Sequence, residues 1–246
     1  MRARINPNLA PTVPPPEGPP ISFGGFSEET WKFLRGLKKN NNKAWFEAHR
    51  EDYDLYLREP SRAFVQAMDL VMREHDLPLV ANIKTSLFRI NRDIRFSKDK
   101  SPYKTHIGFS FPVQGVSQDM WSGLYVAFEV QGAKEIHAMM GGGVYQPMPP
   151  QLKALRKKIS GDFKTFKALL NDKAFKKEFP EGVSGESLKK APQGFDESDP
   201  AIEYLKMKQF LFGATLEADD FLDERLPKKL MKKFSAGAPM ALFLGT

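Results

Sequence analysis

The chain has 246 residues, 41% hydrophobic and 12% aromatic, which is enough apolar material for one substantial core and too much for a disordered chain. Lys and Arg number 37 against 30 Asp and Glu, a formal charge of +7 that suits anionic partners, from small molecules to nucleic acid. With no cysteine, disulfides, thiolate catalysis and Cys-ligated metals or clusters are excluded, and a reducing compartment, the cytoplasm, is expected. No apolar run approaches the ~18 residues of a spanning helix, and the N-terminus lacks the apolar core of a signal peptide, so no membrane partner is expected.

Residues Met1 to Ser22 hold seven of the 19 prolines and few large apolar groups. Such a stretch buries too little surface to offset its ordering entropy, which predicts a Pro-rich disordered arm over 1–22 and a single domain over 23–246. Ser27 is placed to cap a helix through Leu37 that turns Trp31, Leu34 and either Leu37 or Phe33 inward. The Asn40-Asn41-Asn42 run ends it, and Asn42 caps a second helix from Lys43 to about Leu57, with Trp45, Phe46, His49, Tyr53 and Tyr56 at three- and four-residue steps. Pro60 sits in the first turn of a third, whose stripe of Phe64, Ala67, Met68 and Val71 ends near His75.

From Ile83 the period changes to two. Lys84 to Ile90 reads as a strand, and Thr105 to Phe111 alternates Ile107, Phe109 and Phe111 against His106, Gly108 and Ser110. Leu124, Val126, Phe128 and Val130 alternate likewise, Gln131-Gly132 supplies a turn, and Ile136, Ala138 and Met140 continue the pattern. His106 and His137 fall opposite the apolar rows, on a face that can share a groove. Gly141-Gly142-Gly143 reads as a tight turn after the last strand. A helix from Gln151 follows, carrying Leu152, Leu155, Ile159 and the cation Arg156. Further helices are expected near Phe163–Leu170, Pro200–Phe212, Glu217–Glu224 and Pro227–Phe234, the last with Lys228, Lys229, Lys232 and Lys233 on one face. The fold class is therefore α+β: an antiparallel sheet of about four or more strands flanked by N-terminal and C-terminal helices.

One stretch concentrates the charge. Between Arg89 and Lys104 stand Arg89, Arg92, Arg95, Lys98, Lys100 and Lys104 against Asp93 and Asp99, six cations minus two anions, or +4 of the chain's +7. Like charges repel, so the segment needs internal carboxylates or an external anion. The first three cations are Arg, whose planar fork binds carboxylate or phosphate bidentately. Ser97 to Pro102 carries turn chemistry, which puts the cluster on a loop between strands.

Three readings follow. In the first, Arg89, Arg92, Arg95, Lys100 and Lys104, with Arg156, bind a phosphate-bearing or other anionic small ligand, while Asp93, Tyr103 and His106 are the candidates for catalysis. The second is a nucleic-acid or polyanion binder with Phe96 or Tyr103 stacking on bases, although no motif signature of such modules is present. In the third, Asp93 and Asp99 lock the arginines into an ion-pair network without any ligand. No metal set and no cofactor fingerprint is recognised.

The pattern Arg89-x-x-Arg92-Asp93-x-Arg95-Phe96 followed by Asp99-Lys100-x-x-Tyr103 resembles the hallmark of the family catalogued as domain of unknown function 2461. Trp45-Phe46, Gly141 to Gly143, Leu188-Lys189-x-x-Pro192-x-Gly194 and the closing Pro239 to Leu244 sit where that family has similar features. One departure is Ser198-Asp199-Pro200, where an Asp-His-Pro element is expected. The resemblance implies a shared fold and motif, and it brings no activity with it.

Overall fold

The computed structural model describes residues 22–116, 122–131 and 135–245. The proline-rich arm up to residue 21, and Gly132 of the expected turn, lie outside the described residues. Helix α1, Glu28–Lys39, has acidic residues in its first turn and lysines in its last, as the helix dipole favours. The Ser27 N–H donates to Thr30 Oγ1 at 3.1 Å, and Trp31, Phe33, Leu34 and Leu37 are all buried. Asn42 caps α2, Lys43–Ala48, by accepting the Trp45 N–H at 3.0 Å.

The single helix expected from Lys43 to Leu57 is broken. His49 leaves the helical path, its ring stacked on Trp45 at 4.0 Å and its Nδ1 at 2.8 Å from the Trp45 carbonyl. The chain then runs through α3, Arg50–Tyr53, and one wide π turn, Asp54–Arg58, directly into α4, Glu59–Glu74. The π turn frees the Tyr56 carbonyl, which accepts the Thr30 hydroxyl at 2.6 Å and ties this segment to α1. Pro60 occupies the first turn of α4, whose Phe64, Met68 and Val71 are buried.

Lys84 to Ile90 is not a continuous strand. Asn82 accepts the Lys84 N–H at 2.8 Å and caps a single helical turn, α5, Ile83–Ser86. Beyond it Phe88 and Ile90, two residues apart, do not share a face, since one is exposed and the other buried. What remains is paired only through isolated bridges, Leu87 with Phe109 and Asn91 with Tyr103.

The sheet has four antiparallel strands in the order β1-β2-β3-β4, namely His106–Pro112, Gly123–Gln131, Glu135–Val144 and Phe210–Leu216. The first three carry the alternation read from sequence. The fourth replaces the end of the helix expected over Pro200–Phe212, of which only Ile202–Leu205 (α9) is helical. Its local sequence is ambiguous, and pairing with β3 from Ala138↔Leu216 to Val144↔Phe210 decides the outcome. Gly141 to Gly143 are likewise no turn: they lie within β3, hydrogen-bonded between β2 and β4. Gly143 has φ +110°, and a Cβ there would run into the Phe210 carbonyl, so only glycine fits.

Between β3 and β4 run α6, Pro149–Gly161, α7, Phe163–Leu170, and α8, Lys173–Glu178, before α9. After β4, a 3₁₀ turn, Ala218–Leu222, leads to α10, Leu226–Leu244, which extends well past Phe234 with Pro239 inside it. One face of the sheet packs on α1 and α10. There Phe128 meets Trp31 edge-on at 4.7 Å, Phe26 at 5.0 Å and Phe221 at 4.8 Å. No helix among the described residues is long and apolar enough to cross a membrane.

Candidate functional site

The basic stretch folds as an irregular hairpin in front of β1. The Phe88 N–H donates to the Gly108 carbonyl at 3.1 Å, Lys104 N–H to Ile90 at 2.8 Å and Arg92 N–H to Pro102 at 2.9 Å, which leaves residues 93–101 as the tip. Asn41, at the end of α1, holds the base, its Nδ2 donating to the Tyr103 carbonyl at 2.9 Å and its Oδ1 accepting the Tyr103 N–H at 3.0 Å. The Tyr103 ring is buried and stacked on Phe46 at 4.1 Å.

At the tip most cations are answered from within. Arg95 forks onto Asp93 through two bonds of 3.0 and 2.7 Å, and this guanidinium holds the Asp93 carboxyl below its usual range. Arg92 donates to Asp99, to the Ser101 carbonyl at 3.1 Å and to Ser97 Oγ at 3.4 Å. Asp99 also accepts the Ser101 hydroxyl and N–H, and with Arg92 they bring its pKa down to about 2. Lys100 donates to the Ile94 carbonyl at 3.0 Å. Phe96, beside Arg95, is 95% exposed.

Three cations stand apart. The Arg89 guanidinium and the Lys98 ammonium have no hydrogen-bond or ion-pair partner among the described residues, and Lys104 donates only to the Arg89 carbonyl, at 2.9 Å. No carboxylate among the described residues pairs with Lys104, whose pKa is lowered first by burial and then by the Arg89 charge. Lys104 Nζ lies 5.2 Å from the Phe88 ring centre and forms one wall of a hollow of about 750 Å³.

That hollow lies on the sheet face opposite the helical core. His106, Ser110 and Tyr125 enter it from β1 and β2, Met139 and Gly141 from β3, and Phe88 and Tyr145 rise beside it. Tyr125 lies across Gly108, where any Cβ would strike its hydroxyl. Burial lowers the pKa of His106, with Glu129 opposing the shift and Lys104 and Arg92 adding to it, so its imidazole is held neutral near pH 7. Burial likewise raises that of Tyr125. The arrangement offers one cation without a carboxylate partner, a neutral imidazole and the hydroxyls of Thr85, Ser110, Tyr125 and Tyr145 against aromatic walls.

Residues 29–243, which hold the hairpin and every residue lining the hollow, match the family described as conserved hypothetical protein (DUF2461). The chain belongs to the DUF2461 family. No curated protein and no solved structure matches it.

Other DUF2461-like features noted in the sequence fall into structural places. Trp45 packs on Phe33 of α1, and Phe46 receives the Tyr103 ring. At the Ser198-Asp199-Pro200 departure, Asp199 accepts the Ser160 hydroxyl at 2.6 Å and the Ala201 N–H at 2.8 Å, so it is a turn-former that joins α6 to α9. Arg156 is not brought to the hairpin: its Nη2 donates to the Met207 carbonyl at 2.9 Å, and burial lowers its pKa. On α10, Lys229 pairs with Asp220 and Asp223, while Lys232 and Lys233 share Glu178, which answers most of the basic face expected there.

His106 and His137 do stand in one row, on either side of Glu129 in the β1-β2-β3 register. Among the described residues, no group of three or more His, Asp or Glu is placed to hold a metal ion. Sequence reasoning missed Phe88, Tyr125, Met139 and Tyr145 as site residues. The signal for Tyr125 was available, since it sits opposite the Leu124 and Val126 row and next to Ser110 in register.

Proposed function

We propose that this protein binds an anionic small molecule, phosphate- or carboxylate-bearing, in the hollow at Lys104, with Arg89 adding positive potential and His106 and Tyr125 supplying hydrogen bonds. The observation that carries the reading is Lys104 itself: a half-buried ammonium in a hollow, beside a second unpaired cation, with no counterion among the described residues. An isolated charge in such surroundings is costly, and an anion entering the hollow would offset that cost. Within the hairpin, the work divides. Arg92, Arg95 and Lys100 shape the tip, and the cation offered to a ligand is Lys104.

A thermal-shift screen with phosphomonoesters, carboxylates and inorganic phosphate tests this. A ligand at a hundred times its Kd adds about 2.7 kcal/mol of stability. Lys104→Gln is expected to abolish the shift, whereas Arg95→Gln at the self-paired tip leaves it intact. A panel with no stabilising anion, or one whose effect survives Lys104→Gln, overturns the reading.

The ion-pair reading of the hairpin has its own support in the Asp93–Arg95 fork and the Arg92–Asp99 contact. It accounts for Arg92 and Arg95 and leaves Arg89, Lys98, Lys100 and Lys104 without a carboxylate partner. The two readings therefore describe different residues of one segment.

A further inference from the structure

The hollow is far larger than an inorganic anion needs, and its volume of about 750 Å³ falls in the range that encloses a molecule of drug size. Its cation lies on the hairpin side, so the remaining space must take the body of the ligand. We propose that this body is a planar aromatic ring laid on a glycine floor among Phe88, Tyr125 and Tyr145, making the ligand an aryl or heteroaryl anion. This deepens the anion-binding reading above and rests on it.

The floor follows from register. On the outer face of the sheet Gly123 pairs with Gly143, and Gly141 pairs with Gly213. Of these, Gly141 and Gly143 line the hollow, and with ~6.7 Å between like-facing residues they leave a side-chain-free strip along β3, flanked by Tyr125 on β2 and Leu211 on β4. The glycines are demanded by the backbone, because Cβ atoms at Gly123, Gly141 and Gly143 would meet the carbonyls of Phe111, Phe212 and Phe210. Whatever their cause, they leave a strip of bare peptide planes on β3 against which a flat body can lie.

The walls are of matching chemistry. Phe88 and Tyr125 stand 5.9 Å apart at 58°, and Tyr145 on the same hollow is 60% exposed. A ring entering here can stack offset on one and meet another edge-on, as aromatic groups prefer. An exposed tyrosine and a 43% exposed phenylalanine at the rim of an apolar floor are otherwise left half in water.

Calorimetric titration of the full chain with three probes separates ring from charge: hexyl phosphate, 2-naphthyl phosphate and neutral 2-naphthol. The naphthyl ester is expected to bind at least about tenfold tighter than the hexyl ester, and 2-naphthol more weakly than either phosphate. Tyr145→Ala should reduce naphthyl phosphate binding and spare hexyl phosphate, while Lys104→Gln weakens both. Phe88→Leu gives the same ring-selective loss should the tyrosine variant fold poorly. Equal affinity for both esters, unchanged by Tyr145→Ala and Phe88→Leu, overturns the ring while the anion site stands. Binding of 2-naphthol as tight as its phosphate, indifferent to Lys104→Gln, overturns both, as does no binding by any probe.

Discussion

Asn41 shows how much a single amide can hold. It mimics a strand neighbour for Tyr103, satisfying the backbone N–H and C=O of a residue whose ring is buried. Asn41→Ala leaves two partly buried backbone groups unpaired, and denaturant unfolding is expected to register a loss of about 2 kcal/mol. At the tip, Arg92→Gln should lower the unfolding midpoint because three acceptors lose their donor, whereas Arg95→Gln, exposed and answered only by Asp93, should leave it unchanged.

His106 gives the hollow a pH signature. Burial holds its pKa below the ordinary 6.5, so between the two values the unfolded chain binds more protons than the native one. Its contribution to stability is complete above about pH 6.5 and is lost as pH falls through the lowered native value. Urea midpoints measured from pH 7.5 to 5 should therefore decline, and His106→Gln should flatten the decline. Asp93 and Asp99, also lowered, act only below the ordinary carboxylate range and do not overlap this window.

At this scale the sequence was informative about composition and blind to pairing. It placed Asp93 beside Arg95 and identified the excess of cations. Nothing in the spacing could say that Arg92 would be held by Ser97, Asp99 and the Ser101 carbonyl while Lys104, half-buried in the hollow, would be left without a carboxylate partner.

Among elements, β3 runs through the middle of the hollow, contributing Met139 and Gly141 to Gly143. Its glycine run lets β2 and β4 approach on both sides, and it leaves Gly141 and Gly143 without side chains between Tyr125 and Leu211 in the hollow. Gly143→Ala combines a φ of +110° with a collision on the Phe210 carbonyl and is expected to cost at least about 3 kcal/mol. Gly182→Ala, at φ +65° with open space around it, should cost only about 1 kcal/mol. A comparable loss at both positions would remove the steric part of this account.

The strands with clean alternation, β1 to β3, were legible because each has one row of large apolar residues, such as Phe109 and Phe111 or Val126 and Phe128. β4 was not, because Ile202, Tyr204 and Leu205 begin a helical pattern just upstream and its strand character comes from β3. The glycine run misled for a related reason: glycine marks turns in isolation, and only a neighbour on each side makes it a strand. The π turn at Asp54–Arg58 left no trace in a sequence whose aromatic spacing is helical throughout.

Across the whole molecule, Phe128 is the point where the N-terminal helices, the sheet and the 3₁₀ turn meet, through Phe26, Trp31, Phe109 and Phe221. Phe128→Ala is expected to cost about 4 kcal/mol in chemical denaturation. The net charge of +7 looks different at this scale as well. The 30 acids already counted in it include Asp220, Asp223 and Glu178 at α10 and Asp93 and Asp99 at the hairpin, each paired with nearby cations, so the excess lies with other Lys and Arg.

The isolated bridges that flank the sheet have a bearing on how these molecules meet one another. Leu87 lies along β1, Leu79 continues that border at Val113, and Ser184 exchanges two bonds of 2.7 and 2.8 Å with Leu211 on β4. Both margins are thus already fringed by the chain's own irregular segments, which occupy amides that a foreign strand would have to win. Self-association by edge-to-edge ribbon growth would first require peeling that fringe away, a protection achieved with a handful of residues and no extra strand.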